Sequence, residues 1–303
     1  MFRQYPILLL TFFALLFSTT VRGNSFADIS LAYTPSEINE IMVGDSMAPI
    51  IEIEANTPLP LGVAVILTEL QDTSLTLAQG QLLGNALAEK GWNVVVSPLN
   101  LPMIKQTAPQ ANSTEDTQNS QTSVNNAPAE INASNDIVEG LHPRSNLLSQ
   151  HLDFESATTH LTLHLNALNN HLQSRQGYRL YIAQGMAASS YLSALQMQPE
   201  LYPDSFVAIS PFWPETLVNS NVIENIAESS YPVLDISLDG VSEWSDLTAE
   251  ERKKRSKNNL KIHYRQIKIP SKSLSFSINK KYKPLHIQQV ADRTIGWTRH
   301  LGW

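Results

Sequence analysis

Apolar residues along the chain follow two different periods, and together these predict an α/β fold. Positions 63–67 are apolar throughout and positions 92–96 are apolar apart from Asn93, which is typical of parallel strands covered on both faces. Between them, residues 75–89 repeat apolar side chains at helical spacing, and Gly91 follows as a helix stop. The three segments therefore predict a strand, a helix and a second strand parallel to the first.

The same two periods continue through the rest of the chain. Residues 48–55 alternate between apolar and polar positions, which predicts an outer strand with one solvated face. Residues 145–174 repeat leucines at helical spacing, which predicts a long amphipathic helix packed on the sheet. Downstream the pattern alternates, and we predict strands at 206–209, 233–237 and 262–269 and helices at 219–227, 248–258 and 285–301.

The chain is organised around residues 178–195, where a β-favouring run leads through Gly185 into a helix. Gly185 permits a sharp turn, and Ala187 and Ala188 are small enough for the helix to pack closely on its strand. This is the form of a nucleophile elbow, in which the pattern G-x-S-x-G presents a serine at the end of a strand. Within 183–187 the place of the serine is held by Gly185. The segment therefore predicts the backbone of a hydrolytic site without its attacking atom.

Residues 106–136 differ in composition from their surroundings. Of these 31 residues, 18 are Asn, Gln, Ser or Thr, and none is aromatic or basic. Such a segment cannot bury enough apolar area to order itself. We therefore predict a disordered polar insertion inside a single domain that spans residues 24–303. The alternative, an interdomain linker, would leave only three strands before it, which is too few for a covered sheet.

The first 23 residues predict a secretory signal peptide. They contain Arg3, an apolar run at 7–17, and the small residues Val21 and Gly23 before a cleavage site. The apolar run is short for a bilayer span, and the alternative is a retained membrane anchor. The chain has no cysteine, so neither a disulfide nor a lipid-modified cysteine can form. Export without disulfides predicts a bacterial periplasmic protein.

Charge is distributed unevenly around a formal net value of −7. Residues 24–249 contain 5 basic and 25 acidic residues, whereas residues 250–303 contain 14 basic and 3 acidic residues. An acidic, exported chain predicts no nucleic-acid partner. Two interpretations of the basic end remain: the two parts share one domain in which their fields partly cancel, or the basic end makes a weak contact with anionic lipid.

Several further passages resemble a family of exported bacterial proteins that is distantly related to α/β-hydrolases and is defined as a domain of unknown function. The passages are 62–67, 91–92 leading to 99–102, 231–236, 264–266 and 293–297. The resemblance covers most of the mature chain outside the polar insertion. It implies an α/β-hydrolase-like three-layer sandwich with a mostly parallel, twisted sheet, and it leaves the reaction open.

An α/β-hydrolase needs a nucleophile, an acid and a histidine in that chain order. By this resemblance the equivalent positions are Gly185, Asp239 after the strand at 233–237, and His286 between the last strand and the closing helix. Asp239 also fits a turn before Gly240, and His286 also fits a surface position at the start of a helix. Glycine has no side chain with which to attack a carbonyl carbon, so the essential group is the missing one.

The region after the first central strand also departs from the hydrolase pattern, because Glu69 stands where glycine-rich sequence is usual. A carboxylate there disfavours an oxyanion developing nearby. Ser189 and Ser190, one turn along the elbow helix, are interpreted as packing residues. A ligand is expected outside the carboxyl ends of the strands. The predicted crevice, beside Asp239 and His286, consists of Thr68, Glu69, Ser97, Gln184, Gly185 and Ser210.

Three histidines, His160, His164 and His171, project within about 40° of one another on the long helix. A histidine pair four residues apart can chelate zinc, so His160 and His164 are the candidate metal ligands. Their stripe borders the leucine face, where exposed polar residues belong. We therefore predict no resident metal and no cofactor.

The sequence as a whole predicts a periplasmic α/β-hydrolase-like protein that is catalytically degenerate at Gly185. Its expected role is binding or scaffolding in the cell envelope, with a small molecule or an envelope component as partner. The alternative is an active hydrolase of an ester or acyl substrate, using Asp239 and His286 with an unorthodox nucleophile. Whether the protein is an enzyme stays open at this stage.

Overall fold

The computed structural model describes residues 38–69, 74–101, 152–270 and 285–303, together with Phe26, Ile29 and Tyr33. The predicted signal peptide, the predicted polar insertion at 106–136 and residues 145–151 of the predicted long helix lie outside these residues. Among the described helices, none combines the length and apolar character needed to span a membrane.

One sheet of eight strands runs through the described residues in the order β1-β2-β4-β3-β5-β6-β7-β8. The pairs β1–β2 and β2–β4 are antiparallel, and the remaining pairs are parallel, as predicted. The strands are β1 (Asn39–Val43), β2 (Ser46–Ile53), β3 (Gly62–Glu69), β4 (Trp92–Leu99), β5 (Tyr178–Gln184), β6 (Ser205–Ile209), β7 (Val233–Leu238) and β8 (Tyr264–Ile269).

Helices connect the parallel strands, as the alternating periods predict. They are α1 (Leu77–Ala88), α2 (Phe154–Leu172), α3 (Gly185–Met197), α4 (Thr216–Glu228), α5 (Glu243–Asn258) and α6 (Leu285–His300), with a single 3₁₀ turn at Pro199–Leu201 within the described range. The predicted helices are thus confirmed, apart from the ends discussed below and the start of the long helix. That helix was predicted from 145, but it begins at Phe154, where the Asp153 side chain caps it by accepting from the N–H of Ser156.

Two apolar clusters lie on opposite faces of the sheet. Ala64 and Ile66 of β3 belong to the cluster that includes residues of α1 and α6, whereas Val65 belongs to the cluster that includes residues of α2 and α3. Because successive side chains of a strand point to opposite faces, a strand covered on both faces must be apolar at every position. This explains the unbroken apolar run at 63–67 and confirms the three-layer architecture.

The prediction for residues 48–55 is wrong about the place of that strand in the sheet. β2 lies between β1 and β4, and its four residues 48–51 are all buried. The outer strand is β1, which the sequence pattern does not reveal, because only Ile41 of its five residues is buried. A short edge strand with both faces largely in water leaves no periodic signal.

Two predicted boundaries near the end of the chain are also wrong. α5 begins at Glu243 and not at 248, so Thr248 lies inside the helix, where its hydroxyl donates to the carbonyl of Ser245 at 3.2 Å. β8 begins at Tyr264, because residues 260–263 form a turn. The predicted start of the closing helix at Leu285 is confirmed, and His286 lies in its first turn. The Thr248 to Glu251 spacing imitates a capping box that the chain does not use.

Candidate functional site

The elbow is built as the sequence predicts. β5 ends at Gln184 and α3 begins at Gly185, whose φ is +63°. A residue with a Cβ atom is strained in this left-handed region, which explains why glycine suits the bend. Ala187 and Ala188 are fully buried where α3 leaves the strand.

The space above Gly185 is bounded by two side chains. A Cβ atom added at Gly185 would lie 3.4 Å from Cε1 of Phe212 and 3.5 Å from Oγ of Ser74, which are close to ordinary contacts. The Ser74 hydroxyl donates to the carbonyl of Gln184 at 2.8 Å, and the Phe212 N–H donates to the carbonyl of Gly185 at 3.3 Å. There is room for the Cβ of a serine, so the nucleophile is absent because of residue type and not for lack of space.

Glu69 ends β3 and reaches the first turn of α3. Its Oε1 accepts a hydrogen bond from the N–H of Ala187 at 2.9 Å, and the residue is 3% exposed. The N–H groups of the first helical turn have no partner within the helix and carry partial positive charge, so they bind anions. In an α/β-hydrolase the N–H of the residue after the nucleophile helps to hold the oxyanion. Here the Glu69 carboxylate accepts a hydrogen bond from the next N–H along the helix, that of Ala187.

A second pair of functional groups lies on β4 and α2. Ser97 Oγ and His164 Nε2 are 2.6 Å apart, and both residues are buried. Burial lowers the pKa of His164 to about 4, so the imidazole is neutral at pH 7. A neutral imidazole in contact with a hydroxyl is the arrangement of a base and a nucleophile. Ser97 is 0% exposed, however, which keeps a substrate carbonyl away from its oxygen.

Sequence reasoning considered Ser97 and His164 separately, one as a crevice residue and the other as a metal ligand, and missed their contact. The signal was available. Ser97 alternates with Val95 and Leu99, so it points to the same face as those residues, and that face packs against α2. His164 lies directly before Leu165 in the buried stripe of α2. Two polar residues on facing buried surfaces need each other as partners.

The three histidines of α2 have different surroundings. His164 contacts Ser97, His160 is exposed, and His171 Nε2 lies 2.6 Å from Oε1 of Glu52. Among the described residues, no group of three or more His, Cys, Asp or Glu side chains is placed to hold a metal ion. Glu52 also pairs with Arg175, just after α2, at 3.0 Å, so both contacts hold the end of α2 against β2.

A cleft of about 200 Å³ opens beside the Ser97–His164 pair. Its polar lining comes from Ser46, Asn100, His160 and His164. Leu99 also lines it and pairs with Glu69 in the sheet register, so the cleft and the elbow lie on the same face of the sheet.

The predicted acid and base, Asp239 and His286, differ in exposure and in partners. Asp239 is 40% exposed at its side chain and forms an ion pair with Lys268, with Oδ1 and Nζ 3.1 Å apart. His286 is half-buried, and burial lowers its pKa. Over the described part of the chain, no hydrogen bond or ion pair joins Asp239 to His286. Their assignment to catalysis therefore stays a prediction.

Two further crevice residues, Ser210 and Thr68, differ in their hydrogen bonding. Ser210 has a φ of +42°, its N–H donates to the carbonyl of Ile236 at 2.7 Å, and its Oγ accepts from the N–H of Leu238 at 2.8 Å. Ser210 is thereby held to β7. The Thr68 hydroxyl is buried without a hydrogen-bond partner in the described structure. Of the predicted crevice, the structure brings Glu69, Gln184 and Gly185 together.

The model of one protein family matches residues 26–281, and that family is described as Protein of unknown function (DUF3530). The chain belongs to this family. The match covers most of the chain and confirms the resemblance drawn from the sequence. No curated protein matches the chain.

Solved structures support the fold of this DUF3530 member. A proposed dienelactone hydrolase from Klebsiella pneumoniae subsp. pneumoniae superposes with a TM-score of 0.52 at 11% identity, covering 86% of this chain and 97% of that chain. A dienelactone hydrolase from Anabaena variabilis is also similar, with a TM-score of 0.49 at 12% identity and coverage of 87% and 98%. The first superposition, together with the mostly parallel sheet covered on both faces, shows that the DUF3530 chain has an α/β-hydrolase-like fold.

Acid is expected to destabilise the DUF3530 protein through His164. Its pKa is about 4 in the folded chain and about 6.5 in the unfolded chain, so the unfolded chain binds more protons between these values. The contribution of the neutral imidazole to the free energy of unfolding is fully present above pH 6.5 and is lost as the pH falls towards 4. We expect a loss of about 2 kcal/mol by pH 5.

Urea unfolding at pH 7 and pH 5 measures this loss. In His164→Gln the part of the loss that is due to residue 164 should disappear. The control is His160→Gln, which changes an exposed histidine one turn away on the same helix and should keep the pH dependence of the unchanged chain. Equal pH dependence of His164→Gln and His160→Gln would contradict the assignment.

Proposed function

We propose that this protein is a catalytically degenerate α/β-hydrolase that acts by binding or scaffolding in the cell envelope. The observation that carries the proposal is the contact of Glu69 Oε1 with the Ala187 N–H beside a glycine elbow. A hydrolase leaves this helix end open for the charge of its transition state. The carboxylate of Glu69 occupies the site permanently and repels a second negative charge.

The other catalytic positions support the same proposal. Gly185 offers no attacking atom, although a serine Cβ would fit there. Asp239 is paired with Lys268, and no imidazole of the described residues bonds to it. Loss of the nucleophile, or loss of the contact between acid and base, would by itself strongly slow acyl transfer, since nucleophile, base and acid act as one unit.

The place of action rests on the leader sequence and on the absence of cysteine, which favour export to the periplasm. There the partner would be a small molecule in the crevice at Glu69 and Gln184, or an envelope component. The acidic body of the chain disfavours nucleic acid.

A second candidate function is hydrolysis of an ester or acyl substrate through an unorthodox nucleophile. The Ser97–His164 contact favours it, because a neutral imidazole stands 2.6 Å from a hydroxyl. Asp239 and His286, the pair expected to serve such a reaction, lack a mutual hydrogen bond within the described residues. The complete burial of Ser97 makes this the weaker candidate.

A fluorophosphonate probe, which reacts with activated serines, separates the two candidates. We expect no adduct on the pure protein by intact-mass spectrometry, under conditions in which an active serine esterase is fully labelled. The matched variant is Ser97→Ala. Stoichiometric labelling of the unchanged chain that disappears in Ser97→Ala would contradict the degenerate site and support the second candidate.

A further inference from the structure

The turn between α5 and β8 combines two features that are unfavourable for an isolated soluble protein. Leu260 and Ile262 are 82% and 87% exposed, so two aliphatic side chains stand almost entirely in water. Leu260 also has a φ of +52°, in the left-handed region that bulky side chains disfavour. We call residues 260–262 the aliphatic turn.

Backbone hydrogen bonds hold this turn in one conformation. The N–H of Leu260 donates to the carbonyl of Lys257 at 3.1 Å, and the N–H of Lys261 donates to the carbonyl of Ser256 at 3.0 Å. This pair of bonds is the Schellman motif, in which glycine is preferred at the position that Leu260 occupies. The strained position is therefore held by a leucine that is 82% exposed.

Lys261 anchors the middle of the turn to the body of the protein. Its Nζ donates to the Ser229 hydroxyl at 2.8 Å and to the Tyr231 carbonyl at 3.0 Å. With the ammonium group held in this way, the turn projects its two aliphatic side chains as a fixed pair. Strain that persists at an exposed, rigid site indicates a function for that site.

Basic residues flank the aliphatic turn in the sequence. Between Arg252 and Lys268 the chain has eight basic residues and no acidic residue. Lys254 and Arg255 pair with Glu251 and Glu224, and Glu228 lies in the cleft beside the turn. Three exposed basic side chains have no ion-pair partner among the described residues, and these are Lys253, Lys257 and Arg265.

We propose that the aliphatic turn and its unpaired basic residues dock on an anionic lipid membrane. Lipid phosphates complement the unpaired cations, and the acyl layer receives Leu260 and Ile262. An acidic protein would also complement the charge, but a stable protein interface buries about 800 Å² on each partner, and two projecting side chains offer a far smaller apolar patch.

The docking surface lies at the amino ends of the parallel strands, whereas the elbow lies at their carboxyl ends. The turn precedes β8, whereas Gly185 follows β5, and β5 to β8 are parallel. Membrane docking at the turn therefore leaves the Glu69 crevice uncovered. The inference extends the proposed envelope role and rests on it for the choice of a lipid surface. Labelling at Ser97 would overturn the degenerate site without altering a vesicle result.

Vesicle co-sedimentation tests the proposal. Every described residue follows Gly23, so the chain is used from Asn24 onward, which keeps the apolar leader from binding lipid itself. We expect binding to phosphatidylglycerol vesicles that weakens as salt rises from about 50 to about 500 mM, and little binding to phosphatidylcholine vesicles. Leu260→Gly and Ile262→Ser should each weaken binding about tenfold. Lys253→Gln and Lys257→Gln should each weaken it about fivefold.

Leu260→Gly separates binding from folding, because glycine relieves the strain at φ +52° and should keep or raise the Tm. The control is Leu217→Ser, which removes a 72% exposed leucine at the start of α4, near the carboxyl edge of the sheet, and should leave vesicle binding unchanged. Absence of vesicle binding, binding that ignores salt, or binding to poly-glutamate in place of vesicles would each overturn the proposal.

Discussion

Replacing Arg252 by alanine is expected to lower the free energy of unfolding by about 3 to 5 kcal/mol. Arg252 and Asp235 are both fully buried and form a two-pronged ion pair, with Nε–Oδ2 at 2.9 Å and Nη2–Oδ1 at 3.2 Å. Tyr264 and Gln266 each donate a further hydrogen bond to Oδ2 of Asp235 at 2.9 Å. Removal of Arg252 would leave the Asp235 carboxylate buried without its counter-charge.

Urea unfolding of Arg252→Ala measures the loss, and Arg255→Ala is the matched control. Arg255 lies on the same helix and pairs with Glu224 at 2.9 Å, but both side chains are more than 40% exposed. Such a pair contributes at most about 1 kcal/mol. If Arg252→Ala and Arg255→Ala lost equal stability, the buried ion pair would not be what stabilises the packing of α5 on β7.

A double replacement distinguishes loss of the pair from loss of packing. Arg252→Met combined with Asp235→Leu removes both charges and keeps much of the apolar volume. We expect it to recover most of the stability that Arg252→Ala loses, because no buried charge is then left unpaired. A double variant as unstable as the single one would place the loss in packing and hydrogen bonds.

Replacing Glu69 by alanine is expected to cost about 2 to 4 kcal/mol of stability. The change removes a buried side chain and leaves the Ala187 N–H without the carboxylate oxygen that accepts from it at 2.9 Å. Thermal unfolding measures the cost. Glu69→Gln is the matched control, because an amide oxygen can accept the same hydrogen bond at nearly the same volume, and it should lose about 1 kcal/mol.

Acetate should partly restore Glu69→Ala. The vacated site keeps a helix N-terminus and a buried N–H donor, which together favour a small carboxylate. A ligand that binds only the folded chain raises its Tm with concentration. We expect such a rise in Glu69→Ala and none in the unchanged chain. An alanine variant as stable as the unchanged chain and indifferent to acetate would contradict the idea that Glu69 fills an anion site.

The elbow was predictable because its signal is local. A β-favouring run, one glycine and two alanines determine a strand, a bend and a close helix within a dozen residues, and Gly185 has the positive φ that this pattern requires. The inner strands were predictable for a similar reason, since burial on both faces leaves an unbroken apolar run. β1 could not be predicted, because an edge strand with few buried residues leaves no periodic pattern.

The partners of the polar site residues depend on contacts between distant segments. Glu69 and Ala187 are 118 residues apart, Ser97 and His164 are 67 apart, and none of these spacings has a local signature. Sequence reasoning found that Glu69 disfavours an oxyanion, but not that its carboxylate occupies the helix end. It also considered His164 only as a candidate metal ligand on an exposed stripe, and missed that this buried histidine contacts the Ser97 hydroxyl.

The sequence by itself determined the layers, the mostly parallel sheet and the missing nucleophile, because burial on both strand faces, helical periodicity and residue identity are properties of short segments. The tertiary structure alone decided which buried polar groups meet: Glu69 with the elbow helix, Ser97 with His164, and Asp235 with Arg252. The physical reason is that a buried polar group needs a partner, while the partner is chosen by the packing of whole helices and strands and not by the spacing of residues along the chain.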